Sequence, residues 1–401
     1  MKRRRVKITG VGLVTPAGIG RDAFRKGILE PVSRVTLSDQ YPKEAGPFVS
    51  AQVDGFNLAD FEPDIPTKRM SRHTQFAVAA ASMAAREAGL TLRNIEGGST
   101  VVAVGASLMD FGVINKTVDV ILRRGPIFGL PSSVFSASVS AIGGAIGELL
   151  RGPARAMAFQ SACCSGVDAI GHAAGVIERG EARYAICGGT EAPLYFHPML
   201  ELKMAGLAPG NGGDPEKQCR PFDLWRTTGV IGEGAGVMML EPEDSPTPAL
   251  GYVSGYAYAS DSQGKPGEGL AVAMAMALAN AGLRAEQIDA INAWGPGHRI
   301  LDAAEAQAIR QVFGSRADQT PTFSIKGAIG NPLGAAGAIQ VGASLMGFAG
   351  AGLPPTVNWE RSDPSCALCL SGESLPIACE HVLVNTHGLS GTNACLVLSR
   401  S

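Results

Sequence analysis

The chain lacks any strong excess of one charge. Its 34 Lys and Arg stand against 36 Asp and Glu in 401 residues, a formal charge of −2. That balance excludes the broad cationic footprint of a nucleic-acid binder. Only short basic clusters remain, Arg123–Arg124 and Lys68, Arg69 and Arg72, where an acidic protein partner can dock. A disulfide framework is missing as well: the eight cysteines fall at irregular spacings, as in a reducing compartment. Cys366 and Cys369 have the only metal-like spacing, and with no second pair or histidine nearby a structural role is expected, and no bound metal. Low complexity is absent too. The 52 glycines and 25 prolines are spread through a chain that is 45% apolar, with a mean hydropathy of +0.13, the composition of an ordered globular protein.

A convincing membrane segment is also lacking. Residues 327–359 carry no charged side chain, but they are rich in Gly and broken by Pro332, Pro354 and Pro355. The basic residues at the start precede an apolar run that is short, contains Lys7 and ends in Thr15-Pro16-Ala17-Gly18, which reads as strand and turn and not as a leader. A cytoplasmic protein without a membrane span is expected.

What is present is an alternation of strand and helix patterns. Val6–Leu13 reads as a buried strand, 21–29 as a helix, 74–88 as a helix stopped by Gly89, and 101–106 as a second strand. Residues 32–61 read as loop and short strands, and 107–147 as the least regular part, the usual composition of a binding-site wall or partner surface. Ala154–Phe159 is short and apolar, as a buried strand would be, and a strand at 184–191 ends in a Gly pair. A second half, 249–401, follows the first, 1–248, with a strand at 252–258 and an Ala-rich helix at 270–281 closed by Gly282. The halves echo one another: Cys163–Gly180 precedes a strand ending at Gly188-Gly189, and Asn331–Gly350 precedes, after an insertion, the strand 382–385 and the turn Gly388–Gly391. The alternation predicts an α/β protein with parallel-type sheets covered by helices.

The stretch Gln160–Ala169 draws attention because a strand runs into a helix with Cys163 at the junction, and Val167, Ile170, Ala174 and Ile177 continue at helical spacing. A thiol at a helix N-terminus is expected to have a lowered pKa and to act as a nucleophile. Cysteine is also among the most buried residue types, so plain packing explains the pair Cys163–Cys164 too.

Ser161-Ala162-Cys163-Cys164-Ser165-Gly166, followed by Ala169-Ile170-Gly171-His172-Ala173, resembles the nucleophile motif of the β-ketoacyl-acyl carrier protein synthases, condensing enzymes of the thiolase superfamily. Cys219–Asp223 and Gly232–Gly236 are similar to further family segments, and the resemblance covers essentially the whole chain. It implies a thiolase-like fold, two related halves forming a five-layered αβαβα core. It also implies an acyl group taken from acyl carrier protein onto Cys163, no cofactor, and a dimer, either with itself or with another ketosynthase. The region 107–147 then contributes to the acyl pocket, with Met109, Phe111, Ile127 and Phe128 as wall residues.

Decarboxylative condensation needs a thiolate, an oxyanion hole and donors for an enolate. The resemblance assigns the oxyanion hole to the backbone N–H groups of Cys163 and Leu389; Leu389 also stands where elongating members have an aromatic gate. The two family histidines are replaced: Trp294 stands in Asn292-Ala293-Trp294-Gly295, and Asn331 follows Lys326-Gly-Ala-Ile-Gly330. Asn can still donate to a thioester carbonyl, whereas Trp donates through its indole N–H but cannot accept a proton or titrate. Lys326, Asp302 and Glu305 match the family's supporting charges, and His298 and His387 lie close enough in sequence to compensate, although each also fits a structural role. Two main readings follow, and a weaker third. One is an acyltransferase of fatty acid or polyketide synthesis with altered condensation, favoured because an unused thiol at a helix N-terminus is an oxidation hazard. The other is a chain-length-factor-like subunit pairing with an active ketosynthase. A thioester hydrolase or decarboxylase side activity is a third.

Overall fold

Val6–Thr15 (β1) is buried along its whole length, as a strand covered on both faces must be. The computed structural model describes residues 4–67, 70–210 and 213–401, so Lys68 and Arg69 of the basic cluster lie outside the described residues. The first half continues through the helices Arg21–Leu29 (α1) and Arg72–Glu87 (α2), the strand Thr100–Gly105 (β2), and the helices Phe111–Arg124 (α3) and Ser140–Gly147 (α4). Arg155–Phe159 (β3), Ser165–Glu178 (α5), Tyr184–Glu191 (β4) and Gly234–Pro242 (β5) complete it. The second half runs Gly251–Ser260 (β6), Glu268–Ala281 (α6), Ala290–Asn292 (β7), Arg299–Phe313 (α7) and Thr322–Phe323 (β8). It ends with Ala336–Phe348 (α8), His381–His387 (β9) and Thr392–Ser399 (β10).

The two halves repeat one topology. Their strand orders are β3-β2-β4-β5-β1 and β8-β7-β9-β10-β6, which become identical when five is subtracted from the second. In each, the second strand lies parallel to its two neighbours, and the last strand runs antiparallel to both of its own. A short antiparallel run, Val6–Val253 to Ile8–Gly251, joins the halves. Three apolar cores separate the layers. One packs α2 and α4 (Phe76, Ile142) on the outer face of the first sheet, and one packs α6 and α7 (Met274, Ile309) on the outer face of the second. Between the sheets, Val167 and Ile170 of α5 meet Ile339 and Val341 of α8. This is the five-layered αβαβα arrangement implied by the resemblance, and it puts the N-termini of the two central helices side by side.

Two expectations are corrected. The strand at 155–159 forms but is exposed over Arg155–Ala158, because it pairs only with β2 and closes the edge of the sheet. Residues 107–147 are largely helical; α3 has no buried residue, and its apolar Val118 and Leu122 face outwards, so the segment has a helical period without a core to set its face. The uncharged stretch 327–359 is broken into the end of a short helix, Lys326–Ile329, a helical turn, Leu333–Ala335, and the 13-residue α8. Among the described residues no helix is long and apolar enough to cross a membrane.

Candidate active site

The chain leaves β3, makes one tight turn over Ala162–Cys164 and enters α5. Ala162 is held at φ +53°, a left-handed conformation that costs a non-glycine residue on the order of 1–3 kcal/mol. Neighbouring bonds hold it there. The Ser165 hydroxyl donates to the Ala162 carbonyl at 2.5 Å, Ser161 N–H donates to Ser165 Oγ at 2.9 Å, and Thr392 Oγ1 donates to the Ser161 carbonyl at 3.1 Å. Farther along α5, Asp168 accepts from the Ser161 hydroxyl and, at 2.7 Å, from Tyr256. The turn thereby presents Cys163 into the interior, where it is 1% exposed.

That burial overturns the expected low pKa. Burial first, and then the Glu191 carboxyl, push the thiol from an ordinary 9.0 up to about 12, against the opposing pull of Lys326 and the polar groups of Ser107 and Asn331. The rise corresponds to about 4 kcal/mol, whereas a helix N-terminus returns about 2 kcal/mol at most. Cys163 rests as a thiol.

Trp294 follows β7 and is 1% exposed. Its loop is shaped by two fully buried carboxylates of α7. Glu305 accepts from the N–H groups of Trp294 at 2.9 Å and Gly295 at 2.7 Å, and Asp302 from those of Phe222, Gly297 and His298 at 2.7–3.1 Å. Burial raises both, Asp302 to about 7. Lys326 is also fully buried; its ammonium donates to Gln340 Oε1 at 3.0 Å, and burial lowers it to about 8 although Glu305 and Cys163 pull upwards. Asn331 is pinned by its backbone, donating to Val230 O at 2.7 Å and accepting from Gly232 N at 2.9 Å.

Trp294, Asn331, Leu333, Leu389 and His298 line one narrow cleft with about 20 Å³ of free space, room for a single water. Two polar atoms of this lining are buried without a partner among the described residues, Trp294 Nε1 and Asn331 Oδ1. The glycine-rich turn after β9 rests on the nucleophile turn so closely that a Cβ on Gly388 would lie 3.0 Å from the Ala162 Cβ. Among the described residues, the backbone N–H groups of Cys163 and Leu389 have no hydrogen-bond partner, as an oxyanion hole requires.

The structure therefore brings Cys163, Trp294, Asn331, Lys326 and Leu389 together, with Asp302 and Glu305 behind them. Met109 and Phe111 do not line this cleft: Met109 borders a separate apolar groove of about 660 Å³ beside Gln160, and Phe111 opens α3 with its ring edge on His197 at 5.2 Å. Ile127 and Phe128 are exposed. Of the basic clusters, Arg72 is paired with Glu233 at 2.7 Å and Arg123 with Asp119 at 2.6 Å. His298 accepts the Ile300 and Leu301 N–H groups through Nδ1, as the cap of α7. His387 is buried against the Trp294 ring, with centroids 5.5 Å apart. Sequence reasoning missed Glu191, which accepts from the N–H groups of Ser107, Leu108 and Gly334 and so ties two segments to its own strand near the thiol. Its place at the end of the Gly-Gly-Thr-Glu strand was the available signal.

A buried thiol at the start of a central helix, the unpartnered N–H groups of Cys163 and Leu389 and a charged network behind them thus sit where the two halves of the αβαβα fold meet. Residues 3–245 match the family "Beta-ketoacyl synthase, N-terminal domain" and 250–360 match "Beta-ketoacyl synthase, C-terminal domain". The chain is 30% identical to the 3-oxoacyl-[acyl-carrier-protein] synthase 2 of Synechocystis sp., over 100% of this chain and 99% of the relative. It is also 30% identical to a putative polyketide beta-ketoacyl synthase 1 of Streptomyces cyaneus, over 99% and 98%. The solved ishigamide ketosynthase/chain length factor superposes with a TM-score of 0.91 at 28% identity, over 99% of each chain. The protein belongs to the β-ketoacyl synthase family, with a thiolase-like fold.

Proposed function

We propose that the protein takes an acyl group from acyl carrier protein onto Cys163 and passes it on within fatty acid or polyketide synthesis. The observation that carries this reading is the pair of free N–H donors, Cys163 and Leu389, beside a buried thiol whose supporting network is intact. In acylation the thiol gives up its proton, sulfur attacks the thioester carbon, and the carrier's sulfur leaves and takes a proton. The oxyanion is held by the two backbone groups. Trp294 Nε1–H and the Asn331 amide stand as donors for a carbonyl or enolate oxygen, which decarboxylation of an extender needs. Neither exchanges a proton near neutral pH.

The alternative, a chain-length-factor-like subunit, is favoured by the 20 Å³ cleft filled by Trp294 and by the name of the ketosynthase/chain length factor structure. Either role fits a dimer, with itself or with another ketosynthase. The candidate surface is the unpaired edge of β3 with its exposed Met157, together with the adjoining groove that the exposed Val118 and Val134 share with Ala158 of that strand. We also place the protein in the cytoplasm, in keeping with its eight unpaired cysteines, and divide it at 248/249 into the half carrying Cys163 and the half carrying Trp294 and Asn331.

The test is to incubate the protein with acyl carrier protein loaded with an acyl group, follow release of the free carrier thiol, and then add malonyl carrier protein and measure carbon dioxide and β-ketoacyl product. Release of carrier thiol that is lost in Cys163→Ala supports acyltransfer. Absence of release, with restoration only of a partner ketosynthase's activity, supports the subunit reading.

A further inference from the structure

With Trp294 and Asn331 in the two family positions, proton exchange at the site must come from elsewhere. His298 and His387 flank the replacement, and their hydrogen bonds fix them in opposite tautomers. His298 Nδ1 accepts from Ile300 N at 3.2 Å and Leu301 N at 3.4 Å, so Nδ1 carries a lone pair and, in the neutral ring, the proton sits on Nε2. His387 is the reverse. Its Nδ1 faces Asn393 Oδ1 at 2.5 Å. The orientation of Asn393 is settled by its amide nitrogen, which faces the oxygens of Ala259 at 3.3 Å, Asp261 at 2.9 Å and Gly391 at 3.2 Å. The Asn393 oxygen therefore accepts, His387 Nδ1 carries the proton, and Nε2 is left basic.

We infer that His387 is the proton acceptor of this site, held as a base by Asn393 and Asp261, while His298 is a fixed donor at the cleft. The inference rests on the acyltransferase reading above. Asp261 Oδ2 stands 3.9 Å from His387 Nδ1 and stabilises the imidazolium once Nε2 is protonated. The ring touches Trp294, which lines the cleft, and its backbone leads into Gly388, which packs on Ala162 next to the nucleophile. The other charges near it are Glu305, which binds the Trp294 N–H and the Asn385 amide, and the buried Lys326. In acylation the Cys163 proton passes to His387 Nε2, the carbon–sulfur bond to the carrier breaks as that to Cys163 forms, and the departing carrier thiolate takes the proton back. His298 keeps both helix-capping bonds throughout and moves no proton.

Two measurements test this. Long-range ¹H–¹⁵N spectra of protein labelled at histidine, assigned through His387→Gln and His298→Gln, read the tautomers without any turnover. The expected result is Nδ1–H at His387 and Nε2–H at His298; Nε2–H alone at His387 overturns the assignment. The rate of Cys163 acylation against pH reads the proton role. His387→Gln, and the bulkier His387→Phe should Gln fail to fold, are expected to slow acylation at pH 7 about 100-fold, as loss of a general base does. They should also change the shape of the pH profile, with KM for the carrier unchanged. A profile unchanged in both His387 variants overturns the inference. If the unaltered protein takes up no acyl group, the proposed function fails, and alkylation of Cys163 by iodoacetamide serves as the kinetic readout in its place.

Discussion

Replacing Trp294 by Phe separates packing from chemistry. The indole is buried at 1% exposure and shapes the 20 Å³ cleft, so removing part of it costs about 1–2 kcal/mol in lost packing. Its Nε1–H, however, is buried without an acceptor, and removing such a group recovers about 1–3 kcal/mol. The two effects offset, and urea unfolding should place Trp294→Phe within about 1 kcal/mol of the parent. Decarboxylation of the extender should behave differently. There the indole N–H is a donor to the developing enolate oxygen, and the variant loses a contact of the kind worth about 100-fold in rate, or about 2.7 kcal/mol. Carbon dioxide release from malonyl carrier protein reads that loss directly, while Cys163 acylation, held by the two backbone donors, should keep its rate. A variant destabilised by more than about 3 kcal/mol, or one that releases carbon dioxide at the parent rate, would refute the reasoning.

Other residues give sharper single outcomes. Asp302→Ala removes the acceptor of three backbone N–H groups and should lower stability by about 4 kcal/mol in urea unfolding; a loss under 1 kcal/mol would contradict its structural role. Lys326 holds its proton more weakly folded, at about 8, than its ordinary 10.5, so the unfolded chain binds more protons between those values. Stability should rise with pH across that window by about 3 kcal/mol relative to Lys326→Met; parallel curves would exclude the shift. Met157→Lys, on the exposed edge strand, should halve the mass seen by light scattering without changing the unfolding midpoint. A mass unaffected by the change would move the dimer surface elsewhere.

Local patterns carried much of the fold. Helix α1 begins and ends where its amphipathic period does, β4 stops at its acidic residue after the Gly pair, and α6 closes at the left-handed Gly282. Cys163 and the replacements Trp294 and Asn331 were legible because each sits in a short motif, the first two just past a strand and Asn331 just past the helix Lys326–Ile329. The environment of the thiol was not. A helix N-terminus is a local feature, whereas burial beside Glu191 depends on residues brought from 28 positions away by the β4 crossover. The same reason hid Asp168 with Tyr256 and His387 with Asn393 and Asp261, whose partners come from different strands and loops. Helix α3 escaped because its apolar residues find no core within this chain, and β3 misled because an apolar edge strand has the composition of a buried one.

The central claim is that Cys163 accepts an acyl group although neither family histidine is present. Intact-protein mass spectrometry after incubation with acyl-loaded carrier protein tests it most directly. The account predicts a mass gain equal to the acyl group that is absent from Cys163→Ala. No gain, under conditions that acylate an ordinary ketosynthase, would contradict it.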